Sequence, residues 1–194
     1  MNVDPTKETL RRDVQKRLAR QDAFARQHAG LVIQDKVLMH AEFERADVIG
    51  CYLALPAEVQ TDRLISRGQR EGKEICVPAY DPAMRAYRFA VLSVNGTMTS
   101  GPMNIPEPAT PEWVEVDALS LMIVPGVAFD RRGGRVGHGA GHYDRLIGSR
   151  EQAGLVTCGL AYELQMFEQV PMEDTDRYLN FVVTEGGDGW IPGS

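Results

Sequence analysis

Apolar positions in this chain repeat with two different periods. Leu10, Val14 and Leu18 recur at helical spacing behind Asp4-Pro5, which reads as an N-cap with proline at the first helical position, and they predict a helix to about residue 28. Val37, Leu38, Ala41 and Phe43 give 31–45 a second apolar helical face. The run VIGCYLAL at 48–55 is continuously apolar, as expected of a strand covered on both faces. Beyond Pro56, Thr61 reads as a helix cap, Leu64 and Ile65 as the apolar side of a short helix, Gly72 as its stop, and ICV at 75–77 as the next strand.

Proline and glycine interrupt the pattern from 80 to 113, around one predicted strand at 87–92, and the stretch reads as a hairpin-like excursion that ends in an irregular loop, GPMNIPEPATPEW at 101–113. LMIV at 121–124 is the strongest candidate for a buried strand. A glycine-rich segment and a helix at 142–153 follow it, and LVTCGLAY at 155–162 and FVVT at 181–184 complete the set. Strands alternating with helices predict an α/β fold with a largely parallel sheet, in which ligands gather at the carboxyl ends of the strands. At 194 residues and 43% hydrophobic, the chain is expected to form one domain around one core.

Charge and cysteine content narrow the range of partners. A formal net charge of −6 without a long run of one sign argues against a nucleic-acid footprint, so small-molecule ligands are expected and any anion needs locally gathered cations. Cys51, Cys76 and Cys158 each sit in an apolar stretch without a C-x-x-C pair, which fits free buried thiols in a reducing compartment. The first residues, MNVDPTKETLRRD, lack an apolar h-region, and no apolar run approaches the ~18 residues of a membrane span. A soluble, cytoplasmic protein is expected, with no membrane partner and no evident obligate protein partner.

The segment RRGGRVGHGAGHYDR at 131–145 carries the candidate chemistry. Gly137, Gly139 and Gly141 alternate just before a helix, where glycine permits positive φ and lets backbone N–H groups converge on phosphate oxygens at the helix start. Arg135 adds a cation, and Tyr143, Asp144 and Arg145 follow on the first helical turn, where Asp144 suits a magnesium ion. Neither the Walker A spacing nor G-x-G-x-x-G is present, and the same glycines also suit a surface loop that merely turns. His138 and His142 stand four apart, but the loop-to-helix break between them argues against a shared zinc-binding face.

The longest run, VPGVAFDRRGGRVGHGAGHYDRLI at 124–147, resembles the signature of the 5-formyltetrahydrofolate cyclo-ligase family. KETLR at 7–11, YLALPAEVQT at 52–61, NIPEP at 104–108 and GLAYELQ to FVVTE at 159–185 fall in that family's order. The resemblance implies a three-layer α/β/α sandwich, ATP as co-substrate with Mg²⁺, and ATP-driven closure of 5-formyltetrahydrofolate to 5,10-methenyltetrahydrofolate. It assigns nucleotide binding to Lys7 and Arg11, one helical turn apart, and to Arg135, Val136, Gly137, His138, Gly139, Ala140, Gly141, His142 and Tyr143. It assigns folate binding to Leu53, Glu58 and Tyr143, and magnesium to Asp144 and Asp176. A formamide oxygen leaves poorly, so phosphorylation of that oxygen would make it a leaving group without a protein nucleophile.

Four positions depart from the family pattern: Gln60 and Asn180 replace acidic residues, Met103 an aromatic one, and His142 a tyrosine. They keep two alternatives open, a folate- or nucleotide-binding relative without turnover and an ATP-dependent enzyme acting on another N-formyl or amide substrate.

Overall fold

Thr6, rather than Asp4, caps the first helix: its hydroxyl accepts from the Thr9 N–H at 3.2 Å. The structure, a computed structural model, describes residues 5–148 and 154–190, so Asp4 lies outside the described residues and Pro5 precedes the cap. Helix α1 (Lys7–Arg20) buries Leu10, Val14 and Leu18 as their spacing predicts. The first helix then ends eight residues earlier than about residue 28, because Asp22 caps α2 (Ala23–Leu38) by accepting from the Ala25 N–H at 2.9 Å. The expected junction near residue 30 is instead a buried stretch of α2, where Gly30 packs beside the Tyr162 hydroxyl. Helix α3 (Ala41–Arg45) starts after His40, and α4 (Asp62–Arg70) follows Thr61, whose hydroxyl donates to Tyr52 O at 2.7 Å and makes no side-chain cap bond.

The strands are β1 (Val48–Gly50), β2 (Glu74–Asp81), β3 (Ala86–Val91), β4 (Met98–Ser100), β5 (Pro106–Pro108), β6 (Trp113–Val114), β7 (Leu121–Val124), β8 (Ala128–Asp130), β9 (Arg135–Val136), β10 (Val156–Leu160), β11 (Met166–Phe167), β12 (Phe181–Val183) and β13 (Asp188–Trp190). Eight of them form the main sheet, in the order β13-β12-β10-β7-β1-β2-β3-β6. The five from β12 to β2 run parallel, while β13, β3 and β6 add antiparallel edges. Strand β2 runs beyond the expected 75–77 because β3 pairs with it from Cys76↔Val91 to Asp81↔Ala86.

Period-two alternation divides the core into two layers. Leu121 and Ile123 of β7 join the cluster under α1 to α4, which includes Ile33, Phe43 and Leu64. Met122 and Val124 face the other cluster with Phe89, Phe129, Leu179 and Leu146, the last from α5 (His142–Gly148). The helix predicted over 142–153 is described only to Gly148. Helices thus cover both faces of a mostly parallel sheet, as the α/β/α expectation required.

The stretch read as an irregular loop supplies one strand of a hairpin: β5 pairs with β4, which lies just before it, in register from Met98↔Pro108 to Ser100↔Pro106. The prolines of β5 hid that strand, since proline is depleted in strands and tolerated only at edges. The front of the glycine-rich segment is likewise a hairpin: β8 and β9 pair antiparallel, and β11 adds to β8. Among the described residues, no helix is long and apolar enough to cross a membrane.

Candidate active site

One cavity of about 590 Å³ opens where the parallel strands end, within the usual size of a small-molecule site. Its base comes from Tyr52 and Leu53 after β1 and Pro125 after β7, one wall from Tyr87 and Ile105, and its roof from residues 137–141 and the first turn of α5. Lys7 and Arg11 reach it from α1, on the same helix face.

The loop has a foundation that the sequence reading missed. Asp130, at the end of β8, is fully buried, and its carboxylate accepts the N–H groups of Arg132 and Gly134 at 2.9 Å each and of Val170 at 3.0 Å. Gly134 has no room for a side chain, because a Cβ would stand 2.6 Å from Asp130 Oδ2. An aspartate opening a turn that ends in paired glycines was the available signal, since such carboxylates bind backbone amides a few residues on. The turn delivers Arg135 and Val136 as buried strand residues. The loop proper therefore begins at Gly137.

From there Gly139 and Gly141 adopt φ of 108° and 64°, conformations that favour glycine. Arg11 Nε donates to Gly137 O at 2.8 Å, tying the loop to α1. Arg135, expected as a cation beside the loop, is 5% exposed, and Nη2 donates to Asp144 Oδ1 at 2.8 Å. Its Nε is buried without a partner. Asp144 also accepts the Arg177 N–H at 3.3 Å. Lys7 is paired too, with Asp176 at 2.6 Å and Glu173 at 3.2 Å.

All the residues singled out for nucleotide, folate and magnesium line this one cavity. Arg145 does not: it is exposed, and Nη2 meets His142 Nδ1 at 2.8 Å. Burial, then the Arg145 charge, holds the His142 imidazole below its ordinary 6.5, so the neutral ring accepts on Nδ1. His138 Nε2 meets Glu58 Oε1 at 3.3 Å, and both residues line the cavity. Glu58 Oε2 accepts the Leu55 N–H at 2.8 Å. Burial, with the Glu58 charge adding to it, keeps the Tyr143 phenol well above its ordinary value and therefore neutral. No cluster of three or more His, Cys, Asp or Glu suited to a metal occurs among the described residues, so Asp144 and Asp176 stand as two carboxylates, each paired to a cation.

The departures from the family pattern are mostly structural. Gln60 Nε2 donates to the carbonyls of Leu55 and Glu58, bracing the loop that carries Glu58. Asn180 Oδ1 accepts from Thr157 N and Oγ1, joining β12 to β10 away from the cavity. Met103 lies in the turn Pro102–Asn104, its side chain outside the described part.

The Lys7–Asp176 pair makes stability depend on pH. Burial by itself would lower the Lys7 pKa, but the bonds to Asp176 and Glu173 outweigh it and hold it above 10.5. Burial would raise Asp176, and the bonds from Lys7 and the Glu173 N–H outweigh it and hold it below 3.8. A carboxyl more acidic in the folded chain stabilises it above about pH 4, and that contribution vanishes as pH falls through the folded value. Urea unfolding between about pH 6 and pH 3 should show the wild type losing more stability below about pH 4 than Asp176→Asn. Parallel curves would remove the pair as a stabilising contact.

Comparisons with known proteins agree with the fold. The sequence model described as the 5-formyltetrahydrofolate cyclo-ligase family matches residues 3–185. The chain is 26% identical over 195 residues to a Mus musculus 5-formyltetrahydrofolate cyclo-ligase, covering 95% of this chain and 96% of the mouse protein. The solved structure of Aquifex aeolicus 5,10-methenyltetrahydrofolate synthetase superposes with a TM-score of 0.85 at 26% identity, over 97% of this chain and 94% of that one. A Mycoplasma pneumoniae 5,10-methenyltetrahydrofolate synthetase shares the fold at 17% identity, with a TM-score of 0.74 over 92% of this chain and 98% of that one.

Proposed function

The chain belongs to the 5-formyltetrahydrofolate cyclo-ligase family, and from that premise we propose that it closes 5-formyltetrahydrofolate to 5,10-methenyltetrahydrofolate with cleavage of ATP to ADP and phosphate. The observation that carries the reading is that one cavity gathers two kinds of lining. Lys7, Arg11 and the amides of residues 137–141 line it together with the apolar and aromatic Leu53, Tyr52 and Tyr143 and the acceptor Glu58. Such a site can hold a polyphosphate beside a ring system.

In this reading the formyl oxygen attacks the γ-phosphorus and ADP leaves. N10 then attacks the activated carbon, the ring closes, and the N10 proton and phosphate depart. No protein nucleophile takes part; the chain contributes orientation and charge. The pairings support the same assignment. Lys7 and Arg135 are already charged and held in place by Asp176 and Asp144, so they can turn to phosphate oxygens without first being desolvated alone. Asp144 and Asp176 offer the oxygen ligands that magnesium prefers, and the ion, when bound, would neutralise phosphate charge. We also read the protein as one cytoplasmic domain whose partners are small molecules.

The test is to mix the protein with 5-formyltetrahydrofolate and ATP plus Mg²⁺ and to follow methenyltetrahydrofolate by its absorbance. Product is expected only when ATP and Mg²⁺ are both present. Nucleotide binding without product would overturn the reading and favour a non-catalytic relative or another amide substrate.

A further inference from the structure

The fold makes no internal use of the Tyr87 hydroxyl. Tyr87 lies on β3 opposite Tyr80 of β2, and its ring lines the cavity. The ring packs edge-on to His142 of α5 at 4.5 Å between centroids and to Tyr80 at 5.6 Å. Its oxygen is shut off from solvent and has no hydrogen-bond partner. A buried hydroxyl left unpaired costs free energy, whereas phenylalanine would supply the same ring without that cost. The hydroxyl therefore makes sense on a cavity wall if a small turn of the ring on binding brings it to a ligand acceptor that completes its bond.

The nearby charge determines which ligand atom fits. Glu107 is buried at 6% exposure; Oε2 accepts the Tyr80 N–H at 3.1 Å, and Oε1 has no partner. Burial, then the Glu107 charge, raises the Tyr87 phenol above its ordinary 10.0, so it is a protonated donor at neutral pH. The same negative charge disfavours a phosphate or a glutamate-tail carboxylate at this wall, and leaves a neutral acceptor as the matching group.

We infer that Tyr87 is a specificity-determining residue whose hydroxyl donates to a neutral amide-type carbonyl oxygen of the bound folate, an inference that rests on the cyclo-ligase reading. Three parts of 5-formyltetrahydrofolate carry such a carbonyl, the pterin lactam, the N5-formyl group and the benzoyl-glutamate amide. The wall lies beside the helix that follows the glycine loop, so the contact would set the folate against the phosphate-binding lining of the cavity.

Tyr87→Phe isolates the contact because it removes only an atom that the protein itself does not bond. Titration calorimetry and steady-state kinetics should show Kd and KM for 5-formyltetrahydrofolate rising roughly tenfold, KM for ATP unchanged, and Tm unchanged or higher. Parallel titrations with 5-formyltetrahydropterin, with tetrahydropterin, which lacks the formyl carbonyl, and with p-aminobenzoylglutamate identify the acceptor, since only the fragments that carry it should bind Tyr87→Phe more weakly. Folate affinity within about twofold of the wild type, or weakening for none of the fragments, would overturn the assignment. A lower Tm with unchanged affinity would overturn it as well, by giving the hydroxyl to the fold. A wild-type protein that forms no product would overturn the cyclo-ligase reading along with this one, whereas an active wild type with an unaffected variant would overturn this inference alone.

Discussion

Replacing Asp130 by alanine is expected to lower the unfolding free energy by about 3–5 kcal/mol, because it strands buried N–H donors in one step. The carboxylate is fully buried and holds the amides of Arg132, Gly134 and Val170. Each unsatisfied buried donor costs ~1–3 kcal/mol, and the Gly134 and Val170 amides are both buried. Asp130→Asn should fall between alanine and wild type: its amide oxygen can replace Oδ1 toward Arg132 and Gly134, but its NH₂ then opposes the Val170 N–H. Urea unfolding of the three proteins measures this, and an alanine variant within about 1 kcal/mol of wild type would rule out the carboxylate as the support of the turn. Because this turn feeds β9 and the glycine loop, the alanine variant should also lose activity under conditions where it stays folded.

Arg135→Met is expected to lower kcat by roughly 10²–10³-fold, the usual effect of removing one preorganised donor from developing charge. The guanidinium is buried, oriented by Asp144, and retains an unpartnered Nε, so it has donor capacity left for a ligand. Arg135→Lys should recover only part of the loss, since an ammonium keeps the charge without the planar fork that can serve Asp144 and a phosphate together. Kinetics normalised to the folded fraction separate this effect from the cost of leaving Asp144 without its cation. An unchanged kcat in the methionine variant would remove Arg135 from the phosphate site.

The legible parts of the fold are those whose physics is local. LMIV at 121–124 is a strand in the structure at the residues predicted, because a segment buried on both faces must be apolar throughout. The apolar spacing of Leu10, Val14 and Leu18 likewise holds in α1. The first helix was read through to about residue 28, whereas Asp22 caps a new helix that runs on through Gly30, which packs against Tyr162. Strand β5 was hidden by its prolines, which argue against strands until an edge position is known.

The candidate site divides along the same line. Part of the cavity lining was readable from the chain: the alternating glycines with the neighbouring Arg135 and Asp144 are local patterns with local physical reasons, whereas the cations of the first helix stood out only through the family resemblance. The partner of each residue was not readable. Lys7 meets Asp176 across 169 positions, His138 meets Glu58 across 80, and Tyr87 lines a cavity beside a helix that begins 55 positions later. Such pairings depend on strand order and register, which bring distant turns to one end of the sheet, and they decide which charges are compensated, which hydroxyl is left without a bond, and how the cations are aimed. Apolar period and backbone permissiveness are properties of neighbouring residues, so the sequence by itself determined the α/β layout and the glycine loop; electrostatic compensation and burial are properties of neighbours in space, and only the tertiary structure decided them.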